Sequence, residues 1–248
     1  MKEQMPDFDT WRAQTMERLA AQKRYDFSDL CDIVRILRAP GGCPWDREQD
    51  HHSIRRGMIE ECYEVVEAID REDAELLREE LGDVLLQLVF HAGIEEDVGR
   101  FDIHDVANDE CVKMIHRHPH VFGTAHAESS AQVLDNWESI KKEEKHRYTL
   151  EEQLAAIPPV LPALMRASKV QKKAGEAGAT MTAAEAQVQI AECTAALSQA
   201  TETEEKSALI GRILFCTVAL SRAADTDAEE ALTRETERFM MSVTKKHA

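Results

Sequence analysis

The sequence predicts an all-α protein, and three observations predict it. Ala, Leu, Glu, Arg and Gln dominate the 248 residues, whereas aromatic residues make up 5% and Gly and Pro number only 10 and 7. Apolar residues recur at helical spacing in one segment after another. No stretch carries the β-branched alternation between turn signals that marks a strand.

The elements follow in order. A charged, helix-prone leader covers residues 1 to about 24, with Trp11 and Leu19 on one face. A helix over Phe27–Leu37 has Leu30, Ile33, Val34 and Leu37 as its stripe. Ala39-Pro-Gly-Gly-Cys-Pro-Trp-Asp46 reads as a loop, broken by two Pro and two Gly. From about Gly57 to Ile69, Met58, Ile59, Cys62, Val65, Val66 and Ile69 repeat at helical spacing. Asp73 is placed to N-cap the next helix, which runs to about Gly93 with Leu77, Leu81, Val84, Leu85, Leu88 and Val89 inside. The link between these two helices is short, so they are expected as antiparallel neighbours. Helices over about 103–116 and 129–146 follow, the first stopped by His118-Pro119. Ile157-Pro-Pro-Val-Leu-Pro162 reads as a linker to a second helical region.

Composition excludes several classes. Thirty Lys and Arg against 47 Asp and Glu give a formal charge of −17, which opposes a nonspecific grip on a nucleic-acid polymer. No apolar run approaches the ~18–20 residues of a membrane helix. The N-terminus lacks an apolar signal region, and the six Cys contain no C-x-x-C pair, so a reducing, cytoplasmic setting is expected. No G-x-x-x-x-G-K loop is present, which removes a P-loop NTPase. His116, His118 and His120 alternate through a proline with no thiolates near, a poor zinc site. Glu143-x-x-His146 is a single motif where a di-iron bundle needs two.

Acids are the strongest signal. Between Gly57 and Arg100 there are 14 Asp or Glu and three Arg. Glu61 and Glu64 are three apart and share a helix face; so do Glu80 and Asp83 on the facing helix. Four carboxylates on the rim of one helical groove repel, and a divalent cation relieves that; an all-oxygen set suits Mg²⁺ or Mn²⁺. Such pairs also occur as plain solvated surface, and spacing alone leaves both readings open. Glu60 either holds a second metal or faces water.

Glu60-Glu61-Cys62-Tyr63-Glu64, followed after 15 residues by Glu80-Leu81-Gly82-Asp83, resembles the E-E-x-x-E…E-x-x-D signature of the MazG family of nucleoside triphosphate pyrophosphohydrolases. Gly42-Cys-Pro-Trp-Asp46 with Gln49 resembles the family's C-P-W-D-x-x-Q loop, and Lys113 with Arg117-His-Pro-His-Val-Phe122 its K-x-x-x-R-H-P-H-V-F segment. Residues 157–171 resemble its interdomain segment. The likeness covers about residues 27 to 175; the leader lies outside it.

This resemblance implies an all-α nucleotide pyrophosphatase of two tandem four-helix-type domains: the leader (1–24), a domain with an intact metal motif (25–155) and a degenerate one (156–248). It implies water attack on a nucleoside triphosphate at the α–β bond, with Mg²⁺ held by Glu61, Glu64, Glu80 and Asp83. Lys113 and Arg117, four apart, would then hold phosphate oxygens; without the resemblance they read as a solvated cationic helix end. Trp45 either stacks on the nucleobase or plugs the core and anchors its loop. A homodimer is implied as well.

The second half looks like a decayed repeat of the first. Leu209-Ile-Gly-Arg-Ile-Leu-Phe215 echoes Glu80–Leu86, yet Leu209 stands for Glu80 and Arg212 for Asp83. Met181 stands where the family's second loop has Trp. That loss opens an alternative reading, a nucleotide-binding regulatory protein with little turnover. An acidic scaffold that binds a basic partner is a third; it predicts no nucleotide binding.

Overall fold

The computed structural model describes residues 7–144 and 149–247, and among them every regular element is an α-helix. His146, and with it the Glu143-x-x-His146 pair, lies outside the described residues, as do the first six residues of the leader. No single described helix is long and apolar enough to cross a membrane. Two compact units divide the chain, Met1–Ala127 and Glu128–Ala248. Division therefore falls earlier than residue 155, where the sequence places it. The short helix before the Pro-rich linker packs on the helix after it, and so counts with the second unit.

In the first unit, α1 (Phe8–Ala21) leads into α2 (Phe27–Arg38), α3 (Pro44–Glu48), α4 (His51–Asp70), α5 (Ala74–Asp97), α6 (Ile103–Arg117) and α7 (Pro119–Phe122). α4 and α5 form the central hairpin, with α2 and α6 packed on α5. The hairpin is antiparallel, because His51 meets His91, Gly57 approaches Gln87, and Glu61 gathers with Glu80. Its core is Val34, Val89 and Phe90, flanked by Leu30, Ile54, Leu86, Ile94 and Ile103.

Two expectations need correction. Pro44-Trp-Asp46 is a helical turn rather than loop, with Pro44 in the first turn, where its missing N–H is no loss. α4 begins at His51, six residues before Gly57, because Asp50 and Ser53 form a reciprocal capping box. The apolar stripes are also only half buried. Ile59 (56% exposed), Tyr63 (55%), Val66, Ile69, Leu81 and Leu88 lie on an open face. A two-helix hairpin covers one face of each helix, and the second apolar face finds no cover within the unit.

One polar chain, centred on buried Glu95, braces the hairpin away from the acidic residues. His51 faces His91 Nδ1-to-Nδ1 at 2.8 Å with the rings stacked, and its Nε2 lies 2.5 Å from Oε1 of buried Glu95. The second oxygen of Glu95 accepts from Arg100 at 2.6 Å. Only one proton fits between facing Nδ1 atoms. Burial, then the neighbouring His51, pushes the His91 pKa below the usual imidazole value. The neutral ring is therefore favoured when folded. The stability it contributes is present above its unfolded pKa, near 6.5, and is lost as pH falls through the lower folded value. This contribution to the melting temperature should drop between about pH 7 and pH 5, and His91→Phe should remove it; an unchanged slope in thermal melts would refute the assignment.

In the second unit, α8 (Ser130–Glu144) and α9 (Leu150–Ala155) precede α10 (Ala163–Glu176), α11 (Ala183–Leu197), α12 (Thr203–Ala223) and α13 (Ala228–His247). α11 and α12 repeat the hairpin, with α10 and α13 on α12. Ala186, Cys216 and Ala219 make its small core. Burial pushes the Cys216 thiol pKa up, as expected of a structural rather than reactive cysteine.

Candidate active site

Register brings the acids together. Asp73 caps α5 through the N–H groups of Glu75 and Leu76, and its own N–H donates to Ala68 O at 3.1 Å. Glu72 takes the left-handed conformation (φ 53°) that closes so tight a turn. Ala68, fully buried, lets the two helices approach at the closed end. About two turns farther along, Glu61 and Glu64 of α4 face Glu80 of α5.

One carboxylate oxygen from each of Glu61, Glu64 and Glu80 lies within 4.8 Å of the others. Among the described residues this is the one such cluster of metal-ligating side chains. Asp83, one turn on from Glu80, acts on both Glu61 and Glu80 through its charge. Burial pushes the Glu61 pKa above the usual carboxylate range, helped by the hydrogen bond it shares with Glu64 and then by the charges of Asp83, Glu64 and Glu80. Glu80 is raised too, by burial first and then by Glu64, Asp83 and Glu79. Every cause that raises these two is burial or another carboxyl group. Hard oxygen donors under mutual repulsion are the donor set that Mg²⁺ or Mn²⁺ takes, so the residues present fit the metal.

The sign of these shifts gives a test. A carboxyl pKa raised by folding contributes stability below its unfolded value and loses it as pH climbs through the folded one. The metal-free protein is thus strained here at neutral pH. Added Mg²⁺ should raise the melting temperature more at about pH 8 than at about pH 5, and Glu61→Gln should shrink the difference. An equal shift at both pH values would argue against a cation at this cluster.

The remaining candidates are placed as follows. Glu60 pairs with Arg56 at 2.9 Å, one turn back along α4. Trp45 is 65% exposed on α3, so it does not plug the core. Its carbonyl accepts from Gln49 Nε2 at 2.9 Å. The α4 N-cap, Asp50, precedes Glu61 by 11 residues, about 16 Å along the helix, so Trp45 stands well toward the far end of the groove from the acids. Lys113 pairs with Glu110 on its own helix. Arg117 is buried, not a solvated helix end, and the next residue, His118, fixes its ring on Met114 O at 2.6 Å. In the second unit no carboxylate cluster occurs among the described residues.

Sequence reasoning missed the residues that hold the Trp45 turn. Arg38, at the end of α2, is a buried guanidinium. It donates to Asp97 through Nε and Nη2 at 3.1 and 2.7 Å, and to the carbonyls of Asp46 (2.8 Å) and Gln49 (3.3 Å). Arg12 of α1 donates to the Pro40 and Gly41 carbonyls at 2.9 and 2.8 Å. Neither sits in a motif. The one available signal was that a Gly/Pro loop exposes carbonyls that need donors.

Known proteins resemble this chain over the same stretch. The MazG nucleotide pyrophosphohydrolase domain matches residues 49–122, the stretch that carries α4, the acids, α5 and α6. The nucleoside triphosphate pyrophosphohydrolase/pyrophosphatase MazG of Thermotoga maritima is 41% identical over 215 residues, 86% of this chain and 82% of that protein. The chain belongs to the MazG family. A nucleoside triphosphate pyrophosphohydrolase of Escherichia coli K12 is 47% identical over 150 residues, 60% of this chain and 57% of that protein. YabN of Bacillus subtilis is 52% identical over 149 residues, which are 60% of this chain and only 30% of that protein. As a MazG-family chain, it carries the acidic hairpin in its first unit.

Proposed function

We propose that the chain hydrolyses nucleoside triphosphates, ribo or deoxy, at the α–β bond to a nucleoside monophosphate and pyrophosphate. The observation that carries this is the convergence of Glu61, Glu64 and Glu80, with Asp83 beside them, across one helical hairpin. The names of the Thermotoga and E. coli relatives support the same reaction. In that reaction water attacks the α-phosphorus, the bond to the bridging oxygen breaks, and pyrophosphate leaves.

Glu61, Glu64, Glu80 and Asp83 would hold Mg²⁺, or Mn²⁺, against the triphosphate; Glu60 is the reserve ligand if two ions bind. Bound there, the ion would offset phosphate charge and lower the pKa of a water. The chain itself supplies position. Two rigid helices fix the carboxylates, so no nucleophilic side chain is required. Lys113 and Arg117 are the proposed phosphate contacts. Trp45, exposed and held by its turn, is the proposed platform for the base, a contact open to every nucleobase.

The exposed apolar face of α4 and α5 supports a homodimer that covers it. We read the tandem arrangement as an active unit followed by a degenerate one, in a cytoplasmic enzyme that serves nucleotide-pool cleansing or stress nucleotide control. The test is product analysis of an NTP and dNTP panel with and without Mg²⁺. Monophosphate plus pyrophosphate supports the reading. Diphosphate plus phosphate refutes it. Nucleotide bound without turnover favours a regulatory protein, the reading that the substitution of Arg212 and Leu209 in the second unit keeps in view.

A further inference from the structure

A second groove opens in the first unit, away from the acidic cluster. Phe8 of α1, Arg35 and Arg38 of α2, Pro40, Arg47 of α3, and Glu96 with Asp97 at the end of α5 line about 640 Å³. Asp97 lies 17 residues beyond Glu80 on the same helix, about 25 Å along its axis, so the groove is distinct from the acidic cluster, although α3 supplies both its Arg47 and the Trp45 proposed for the substrate base. Three guanidiniums against two carboxylates make the groove locally positive in a chain of charge −17.

The guanidiniums are not equally free. Arg38 spends its donors on Asp97, Asp46 O and Gln49 O. Arg35 pairs with Glu96 through one nitrogen and lies over the Trp11 ring, 5.3 Å from its centroid; its other donors have no partner among the described residues. Arg47 is exposed; its backbone N–H donates to Cys43 O, but its guanidinium has no hydrogen bond or ion pair among the described residues. Beside them Phe8, half exposed and tilted against Trp11 at 5.4 Å, and the Pro40 ring give flat apolar surface. The volume is that of a small-molecule site.

We propose that this groove binds a nucleoside monophosphate, with its phosphate on Arg47 and Arg35 and its base against Phe8 and Pro40. Uncommitted guanidinium donors favour a multi-oxygen anion, which they hold as a fork. A bare phosphate would leave the aromatic side of the groove unfilled. The proposal does not rest on the hydrolysis reading, since it involves none of the acids of α4.

The test is calorimetric titration of the full chain with AMP at low salt in EDTA, where divalent cations are removed and the acidic cluster repels the phosphate. AMP should bind once per chain, and inorganic phosphate should bind at least about tenfold more weakly. Arg47→Glu should weaken AMP by about tenfold or more, the scale of a charge-assisted phosphate contact. Phe8→Ala, on a separate helix, should weaken AMP while leaving phosphate unchanged. Glu61→Gln should bind AMP as the unaltered chain does. No AMP binding in EDTA overturns the proposal, as does Arg47→Glu binding like the unaltered chain. Loss of binding in Glu61→Gln overturns it too, and phosphate binding as tightly as AMP overturns the nucleoside assignment.

Discussion

Glu61→Gln should cut Mg²⁺-dependent pyrophosphate release by on the order of a hundredfold or more, while raising the melting temperature of the metal-free protein. The two effects have one cause. Glu61 is half-buried among carboxylates that raise its pKa, so its charge is unfavourable until a cation arrives. The amide keeps the shape and the shared contact with Glu64 but removes the charge that both strains the fold and attracts the ion. Glu80→Gln should behave alike, because its pKa is raised by the same kind of surroundings. Glu67→Gln is the control: Glu67 sits on the same helix but pairs with Arg71 at 2.9 Å. Its loss should leave turnover within about twofold and cost no more than a surface ion pair, under about 1 kcal/mol. If Glu61→Gln lost stability and kept activity, the cluster would be a structural feature and the proposed site would be wrong.

That cluster was legible in the sequence because its cause is local. The i, i+3 spacing sets the faces, and a three-residue link with an N-cap at Asp73 sets the register of two helices. The resemblance to the MazG family rests on the same residues. The start of α4 was less legible: Gly57 reads as a helix boundary, yet it lies within the helix, where Gln87 Nε2 would be 3.0 Å from an added Cβ. The capping box at Asp50 outranks the glycine. Two kinds of feature were not legible at all. His51, His91 and Glu95 meet across 40 and 44 residues, and no spacing rule reaches that far. Ile59, Tyr63 and Ile69 fit an apolar stripe as well as buried residues do, since periodicity reports apolar faces and not which of two faces is covered.

Gly42→Ala should destabilise the first unit by about 2–4 kcal/mol, a shift on the order of 10 °C in melting temperature. After α2 the chain folds back on itself, with Gly42 N–H donating to Ala39 O and Cys43 N–H to Leu37 O, each at 2.8 Å. A Cβ at position 42 would stand 2.3 Å from the Leu37 carbonyl oxygen and 2.4 Å from that of Ile36. Both are backbone atoms of a helix end and cannot swing aside as a long side chain would. The turn must open, which pulls Trp45 and Arg47 away from the positions that Arg38 and Arg12 give them. Weaker substrate binding should therefore accompany the lost stability. Gly211→Ala has the opposite sign. Position 211 is inside α12 with nothing within 4 Å of an added Cβ, so alanine should stabilise by roughly 0.5–1 kcal/mol through helix propensity. Gly82 offers the same open space, but it lies between Glu80 and Asp83. Gly82→Ala should gain the same stability; reduced turnover with it would mean that the substrate approaches the α5 backbone there, whereas full turnover would place the triphosphate nearer α4. Because the substitution is chemically identical at all three positions, the sign of each result follows from its surroundings: a blocked turn at 42, open space inside a helix at 82 and 211.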